Sequence, residues 1–152
     1  MRVLKDDDIR NYPYCLNFVF KFRDVVKHVH DITNQFYFKN VLNSCIWIYR
    51  IRMQKEEDPA AKKFYEGKIK QFDRYIWKLK LIPGVDITTN KVFDYDYLIE
   101  VLERDLSYFL NKSQDAFNNK LYKFGAFYLG QYYGNKEIIK ISKKFKKECN
   151  NE

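Results

Sequence analysis

Ala61, Tyr65, Ile69, Phe72, Ile76 and Leu79 recur at intervals of three and four residues, the period of one face of an α-helix. Tyr75 lies beside that stripe, and Lys63, Lys70, Arg74 and Lys78 fall on the polar side, with Lys62 next to them. The pattern has defined ends. Glu56-Glu57-Asp58-Pro59 is a stop and a restart: Asp58 can accept from the first free N–H groups, and Pro59 suits a first helical position. Pro83-Gly84 ends the run. This spacing predicts a helix over about 59–81, and a chain built around it must bury that stripe against other helices.

The flanking sequence supplies them. Residues 36–56 place Phe38, Val41, Leu42, Cys45, Ile46, Tyr49 and Met53 on one side, and Trp47, Ile48 and Ile51 widen that face, as in a helix that is central or shared with a partner. Residues 14–30 carry Cys15, Phe18, Val19, Phe22, Val25, Val26 and Val29 at helical spacing. Their first half also alternates, which leaves a strand open there, but the helical pattern runs further. Asp94 can cap a helix over about 94–112 with Tyr97, Leu98, Val101, Leu102, Leu106, Phe109 and Leu110 inward. A segment over about 114–133 has Phe117, Leu121, Phe124, Tyr128 and Tyr132 in register, and Gly125 and Gly130 each weaken it by about 1 kcal/mol relative to alanine. A last piece, about 135–147, has Ile138, Ile141 and Phe145 on one side and lysines on the other. With 5 Gly and 3 Pro in 152 residues, a loop-rich β-sandwich and a disordered chain are both disfavoured. The expected fold class is all-α: an antiparallel four-helix bundle over about 14–112, with an additional C-terminal helical appendage over about 114–147, in a single domain.

Charge is uneven. The net +8 resolves into +1 over residues 1–34, +6 over 35–80, −4 over 81–115 and +5 over 116–152. Either the positive surface draws polyanions, or the acidic segment pairs with the basic ones within the fold or between copies. Arg50 and Arg52 end the second helix, and Lys62, Lys63, Lys70, Arg74 and Lys78 follow on the third. If these helices are antiparallel neighbours, the groups merge into one phosphate-binding surface. The plainer reading of this cluster is a solvated face, with Glu66 pairing to Lys70. Lys143, Lys144, Lys146 and Lys147 form a dense basic run that could contact nucleic acid or lie on an anionic membrane surface, its plainer reading being a frayed, solubilising terminus. Tyr122, Phe124, Phe127, Tyr128, Tyr132 and Tyr133 alternate with Lys120 and Lys123. Exposed aromatics among lysines can stack unpaired bases, although such a stripe is more commonly core or subunit interface.

Catalysis finds little support. His28 and His30 do not share a helical face, no cysteine stands at zinc-ligand spacing, and there is no glycine-rich phosphate loop or recognisable nucleophile setting. No metal and no cofactor is expected, and the chain reads as a non-enzyme. Asp94, Asp96, Glu100, Glu103 and Asp105 are spread around a helix, as in a solvated face. Three cysteines without paired spacing suggest free thiols in a reducing, cytoplasmic setting, and no stretch approaches the length of a transmembrane helix. Lysine outnumbers arginine 21 to 7, a bias of AT-rich coding that fits a virus, phage or mobile element.

Three stretches, FKNVLNSCIWIYRI, AAKKFYEGKIKQFDRYIWKLKLI and YDYLIEVLERDLSYFL, give Phe36 to Phe109 an order that resembles the accessory variability proteins of diversity-generating retroelements and the related four-helix proteins of ribosomal RNA intervening sequences. The resemblance covers about half of the chain. Where that family's closing helix often ends near a glycine and a tryptophan, Ser107-Tyr108-Phe109 stands here, and the tail beyond residue 113 is extra. The resemblance implies a basic bundle that oligomerises as a ring and binds a reverse transcriptase and nucleic acid without catalysis, with the basic residues of the third helix as contacts.

The leading expectation is therefore a non-enzymatic helical adaptor, a homo-oligomer, for RNA or DNA or for a nucleic-acid enzyme. The rival is a viral or phage assembly or host-interaction protein in which the surplus aromatics make subunit contacts. A third reading is an inhibitor whose acidic 94–105 segment mimics a polyanion.

Overall fold

A computed structural model describes residues 34–79 and 95–150. Every element among them is an α-helix: α1 (Asn34–Lys55), α2 (Pro59–Leu79), α3 (Tyr95–Arg104), α4 (Leu106–Asn118) and α5 (Tyr122–Asn150). The all-helical class expected from the sequence is thus present. The segment expected as a helix over 14–30, with Cys15, His28 and His30, lies outside the described residues, as does the 84–93 connection.

The start of α2 follows from its sequence. The Asp58 Oδ2 accepts from the Ala61 N–H at 3.3 Å, and the Asp58 carbonyl accepts from the Lys62 N–H at 3.0 Å. This caps the helix with Pro59 in its first position. Helix α1 buries Phe38, Val41, Leu42, Cys45, Ile46 and Tyr49, and α2 buries Ala61, Tyr65, Phe72, Tyr75 and Ile76, the faces that spacing predicts. Trp47 and Ile51 depart from expectation: they are 67% and 42% exposed and do not widen the inner face.

The helix expected over 94–112 is two helices, divided at Asp105. The 114–133 and 135–147 segments are likewise redrawn. Residue 113 is no boundary: Ser113 is buried in α4, and its hydroxyl donates to the Gly125 carbonyl at 2.8 Å. The turn comes at Asn119-Lys120. There the Leu121 N–H donates to the Ala116 carbonyl at 2.8 Å and the Lys120 N–H to the Phe117 carbonyl at 3.0 Å, the paired bonds of a Schellman stop. Lys120 occupies its left-handed position at φ 61°, where a side chain costs roughly 1–2 kcal/mol. Lys120→Gly is expected to raise stability by about 1 kcal/mol in urea denaturation, and a loss on substitution would contradict this account of the turn.

The C-terminal region is not an appendage. Helix α5 packs against each of the other four described helices, most extensively against α2 and α4. Its Ile138, Ile139, Ile141 and Phe145 join α1, α2 and α3 residues in the main core, while Ala126 packs with Ala60 and Phe64 in a second cluster. Gly134 lies inside α5 and does not end it: the absent Cβ lets α2 come close, and an added one would sit 3.1 Å from the Gln71 Cβ.

One buried group in this core lacks a partner. The Tyr75 hydroxyl makes no hydrogen bond, and burial, reinforced by the negative charge of Asp105, pushes its pKa up to about 12. An unsatisfied buried hydroxyl costs roughly 1–3 kcal/mol. Tyr75→Phe should therefore stabilise the fold, by about 1 kcal/mol, with a higher urea midpoint as the readout.

Candidate nucleic-acid interface

The eleven basic residues marked by the sequence do not share one surface. Two of the four tail lysines are engaged by the acidic helix α3: Lys146 Nζ lies 2.5 Å from Asp96 Oδ1 and Lys143 Nζ 4.0 Å from Glu103 Oε1. These are exposed pairs, each worth about 0.2–1 kcal/mol, but they offset charge on the face where a polyanion would bind. Lys144 and Lys147 are exposed at the C-terminal end of α5, and Lys144 is about 31 Å along the helix from Lys123.

Arg52 is half-buried, with its guanidinium carbon 5.9 Å from the Tyr49 ring centroid. Lys78 Nζ lies 5.1 Å from the Tyr75 ring. Arg50 is exposed on α1, one turn before Gln54.

Of the other four, three line one flank of α2, and Lys62 meets that flank at its N-terminal end. Lys63, Lys70 and Arg74 stand at i, i+7 and i+11, so they share a side of the helix. The Lys70 Nζ lies 5.3 Å from the ring centroid of Phe127 in α5, which places this row against α5. At its N-terminal end a groove of about 410 Å³ is lined by Met53 and Gln54 of α1, Pro59, Lys62, Lys63 and Glu66 of α2, and Lys123 of α5. Helices α2 and α5 thus bring three lysines and one carboxylate to a single concavity that α1 completes. Glu66 pairs with Lys63 at 3.1 Å, one turn back, and not with Lys70 as its spacing suggested. Lys62 and Lys123 are exposed on the groove walls.

Three residues of this face escape sequence reading. Lys123 stood out only as a neighbour of aromatics, because its approach to Lys62 and Lys63 depends on how α5 packs on α2. Trp77 and Phe124 are each 61% exposed. Trp77 falls at i+14 from Lys63, on the same side as the basic row, and that register was the available signal. Phe124 was weighed in the sequence as a base-stacking aromatic among lysines, with a core or interface position as the favoured reading.

Beneath the face lies a polar layer that periodicity does not reveal. Lys68 is 1% exposed, and its Nζ donates to Glu137 Oε1 at 2.5 Å. The Tyr49 hydroxyl donates to the other Glu137 oxygen. Alongside, Gln71 Nε2 donates to Asn135 Oδ1 at 2.7 Å, Gln131 Nε2 to Gln71 Oε1 at 3.0 Å, and Asn135 Nδ2 to the Leu102 carbonyl at 3.2 Å. Burial drives the Glu137 carboxyl above its ordinary range, against the pull of the Lys68 charge and the two hydrogen bonds. All members are hydrogen-bonded inside the helix packing, as a layer that fixes how α1, α2 and α5 meet would be. Among the described residues, no three His, Cys, Asp or Glu side chains gather as a metal-binding group, and no helix is long and apolar enough to cross a membrane.

Comparison with protein-family models, with curated proteins and with solved structures yields no match.

Proposed function

We propose that this chain is a non-enzymatic helical adaptor that binds nucleic acid through the α2–α5 face. The observation carrying the reading is the convergence of Lys62, Lys63 and Lys123 on one groove, continued by Lys70 and Arg74 along the flank of α2. Phosphates need positive charges at several points, and each contact releases counterions. In this reading the helices form an antiparallel bundle, since the link of three residues between α1 and α2 turns the chain straight back. A nucleic-acid enzyme such as a reverse transcriptase is the protein partner that the retroelement resemblance implies.

Filter binding at two salt concentrations tests this. Affinity should fall steeply as salt rises, and the triple variant Lys62→Glu, Lys63→Glu, Lys123→Glu should weaken low-salt binding by more than about tenfold. Absence of binding at low salt, or binding indifferent to salt, would remove the proposal.

A second reading rests on Trp47 and Ile51, one turn apart and exposed on α1. Large apolar side chains left in water mark a contact with another protein, as in an assembly component or a homo-oligomer. Light scattering that reports a strict monomer, unchanged by Trp47→Ser, would speak against it.

A further inference from the structure

Independently of the nucleic-acid reading, we propose that the tip of the α4–α5 hairpin docks on an anionic lipid surface, with Leu121, Tyr122 and Phe124 entering the interface and Lys120 and Lys123 meeting the headgroups. The seven residues from Asn118 to Phe124 are all exposed, an unbroken run that leaves α4, passes through the turn and enters α5. A helix laid against a fold buries every third or fourth residue, so this stretch projects beyond the packing. Its apolar side chains are not withdrawn: Leu121 is 51% and Phe124 61% exposed. Tyr122 stands between them in sequence, with its ring centroid 6.3 Å from that of Phe117.

Charge at this end is one-sided. No Asp or Glu occurs between Asp115 and Glu137. Lys62 and Lys63 join Lys123 in the adjoining groove, where Glu66 is drawn to Lys63. The tail run that the sequence offers for a membrane surface differs, because α3 carboxylates stand against Lys143 and Lys146. Lys120 also holds a left-handed position, at φ 61°, that glycine would occupy at lower cost, as backbone strain kept at a working site does.

Lipid accounts for these side chains together. A base cannot stack on Leu121, which has no π-face. A protein contact of ordinary size takes about 20–30 residues from each side, far more than a projecting turn presents. A lipid interface accepts a convex tip, lets apolar groups sink about 5–10 Å, seats tyrosine at headgroup level and leaves lysine ammonium groups in water. Three side chains insert weakly, and the lysines are the second signal that peripheral attachment needs.

Co-sedimentation of the full chain with vesicles tests this, using phosphatidylcholine alone and an equal mixture with phosphatidylserine. The mixed vesicles should bind at least about tenfold more tightly than the neutral ones. Leu121→Ser combined with Phe124→Ser should weaken that binding by more than about tenfold, with nucleic-acid binding and circular dichroism unchanged. Lys120→Gly, which should stabilise the turn, should still lower vesicle affinity about fivefold, a loss that misfolding does not explain. In Phe124→Trp, the added indole emission should shift to the blue on mixed vesicles and be quenched by brominated phosphatidylcholine.

No sedimentation with mixed vesicles overturns the proposal and leaves the nucleic-acid reading in place, since filter binding is measured without lipid. Vesicle binding that survives Leu121→Ser with Phe124→Ser overturns it too, because charge alone then holds the surface. Lost self-association in that variant, with vesicle affinity unchanged, overturns it and makes the tip a contact between copies.

Discussion

Gly130→Ala will destabilise the fold by about 3 kcal/mol, although an alanine inside a solvent-exposed helix would stabilise it by about 1 kcal/mol. The sign reverses because α5 meets α2 backbone to backbone at this point. A Cβ on Gly130 would run into the Phe64 carbonyl oxygen and lie 2.9 Å from its carbonyl carbon and 3.2 Å from the Gly67 Cα. None of these atoms can swing aside, so the helices must part, and the Ala60–Phe64–Ala126 cluster loosens with them. Gly67→Ala meets the Phe127 carbonyl from the opposite helix and should cost a similar amount. Gly125→Ala is the control: its obstacle is the Phe117 ring at 2.9 Å, a half-buried side chain that can shift, so its cost should be the smallest of the three. Urea denaturation of the set decides. A neutral or stabilising Gly130→Ala would mean that the helices do not touch there.

Lys68→Met should cost about 3–5 kcal/mol, because it leaves the Glu137 carboxylate buried without its counter-charge. The companion result separates that penalty from the worth of the pair: Lys68→Met with Glu137→Leu should regain most of the loss, since apolar replacement of a whole buried ion pair is commonly neutral or better. Failure of the double variant to recover would show that the pair itself, with Tyr49, holds the helices in place. The pair also sets a pH dependence. Burial raises the Glu137 carboxyl above its ordinary 4.5, so over the interval between the unfolded and folded values the native state binds more protons than the unfolded one. Stability then falls as pH rises through that interval, and the contribution is fully present only below the unfolded value. Glu137→Gln has no such titration, and subtracting its stability–pH curve from the parent's should isolate the falling limb. A parent curve that rises there relative to Glu137→Gln would reverse the assigned direction.

Legibility in the sequence followed local chemistry. The cap at Asp58-Pro59 and the inner faces of α1 and α2 could be read because each depends on spacing within one helix. The break at Asp105 and the turn at Lys120 could not, since neither carries glycine or proline. Gly125 and Gly130 misled in the opposite direction. Within one helix a glycine reads as weakness, and only the second helix shows that it is a contact surface. The same limit applied to charge. Lys68 looks like any other lysine of α2, yet its partner lies 69 residues away. Lys143 and Lys146 looked available, yet α3 supplies Glu103 and Asp96 against them. The Lys62–Lys63 part of the groove was legible, while Lys123, Trp77 and Phe124 required the placement of α5.

Because α5 is the element on which the other described helices lean, and it comes after them in the chain, they leave the ribosome before the surface that covers them exists. A nascent polypeptide halted near Asn118 would hold α1 to α4 without Glu137 and Asn135, to which Tyr49, Lys68 and Gln71 donate in the finished fold. Acquisition of the native state therefore waits until nearly all of α5 has been synthesised, and until then the growing chain displays the apolar seams and the Lys68 charge that the finished fold conceals.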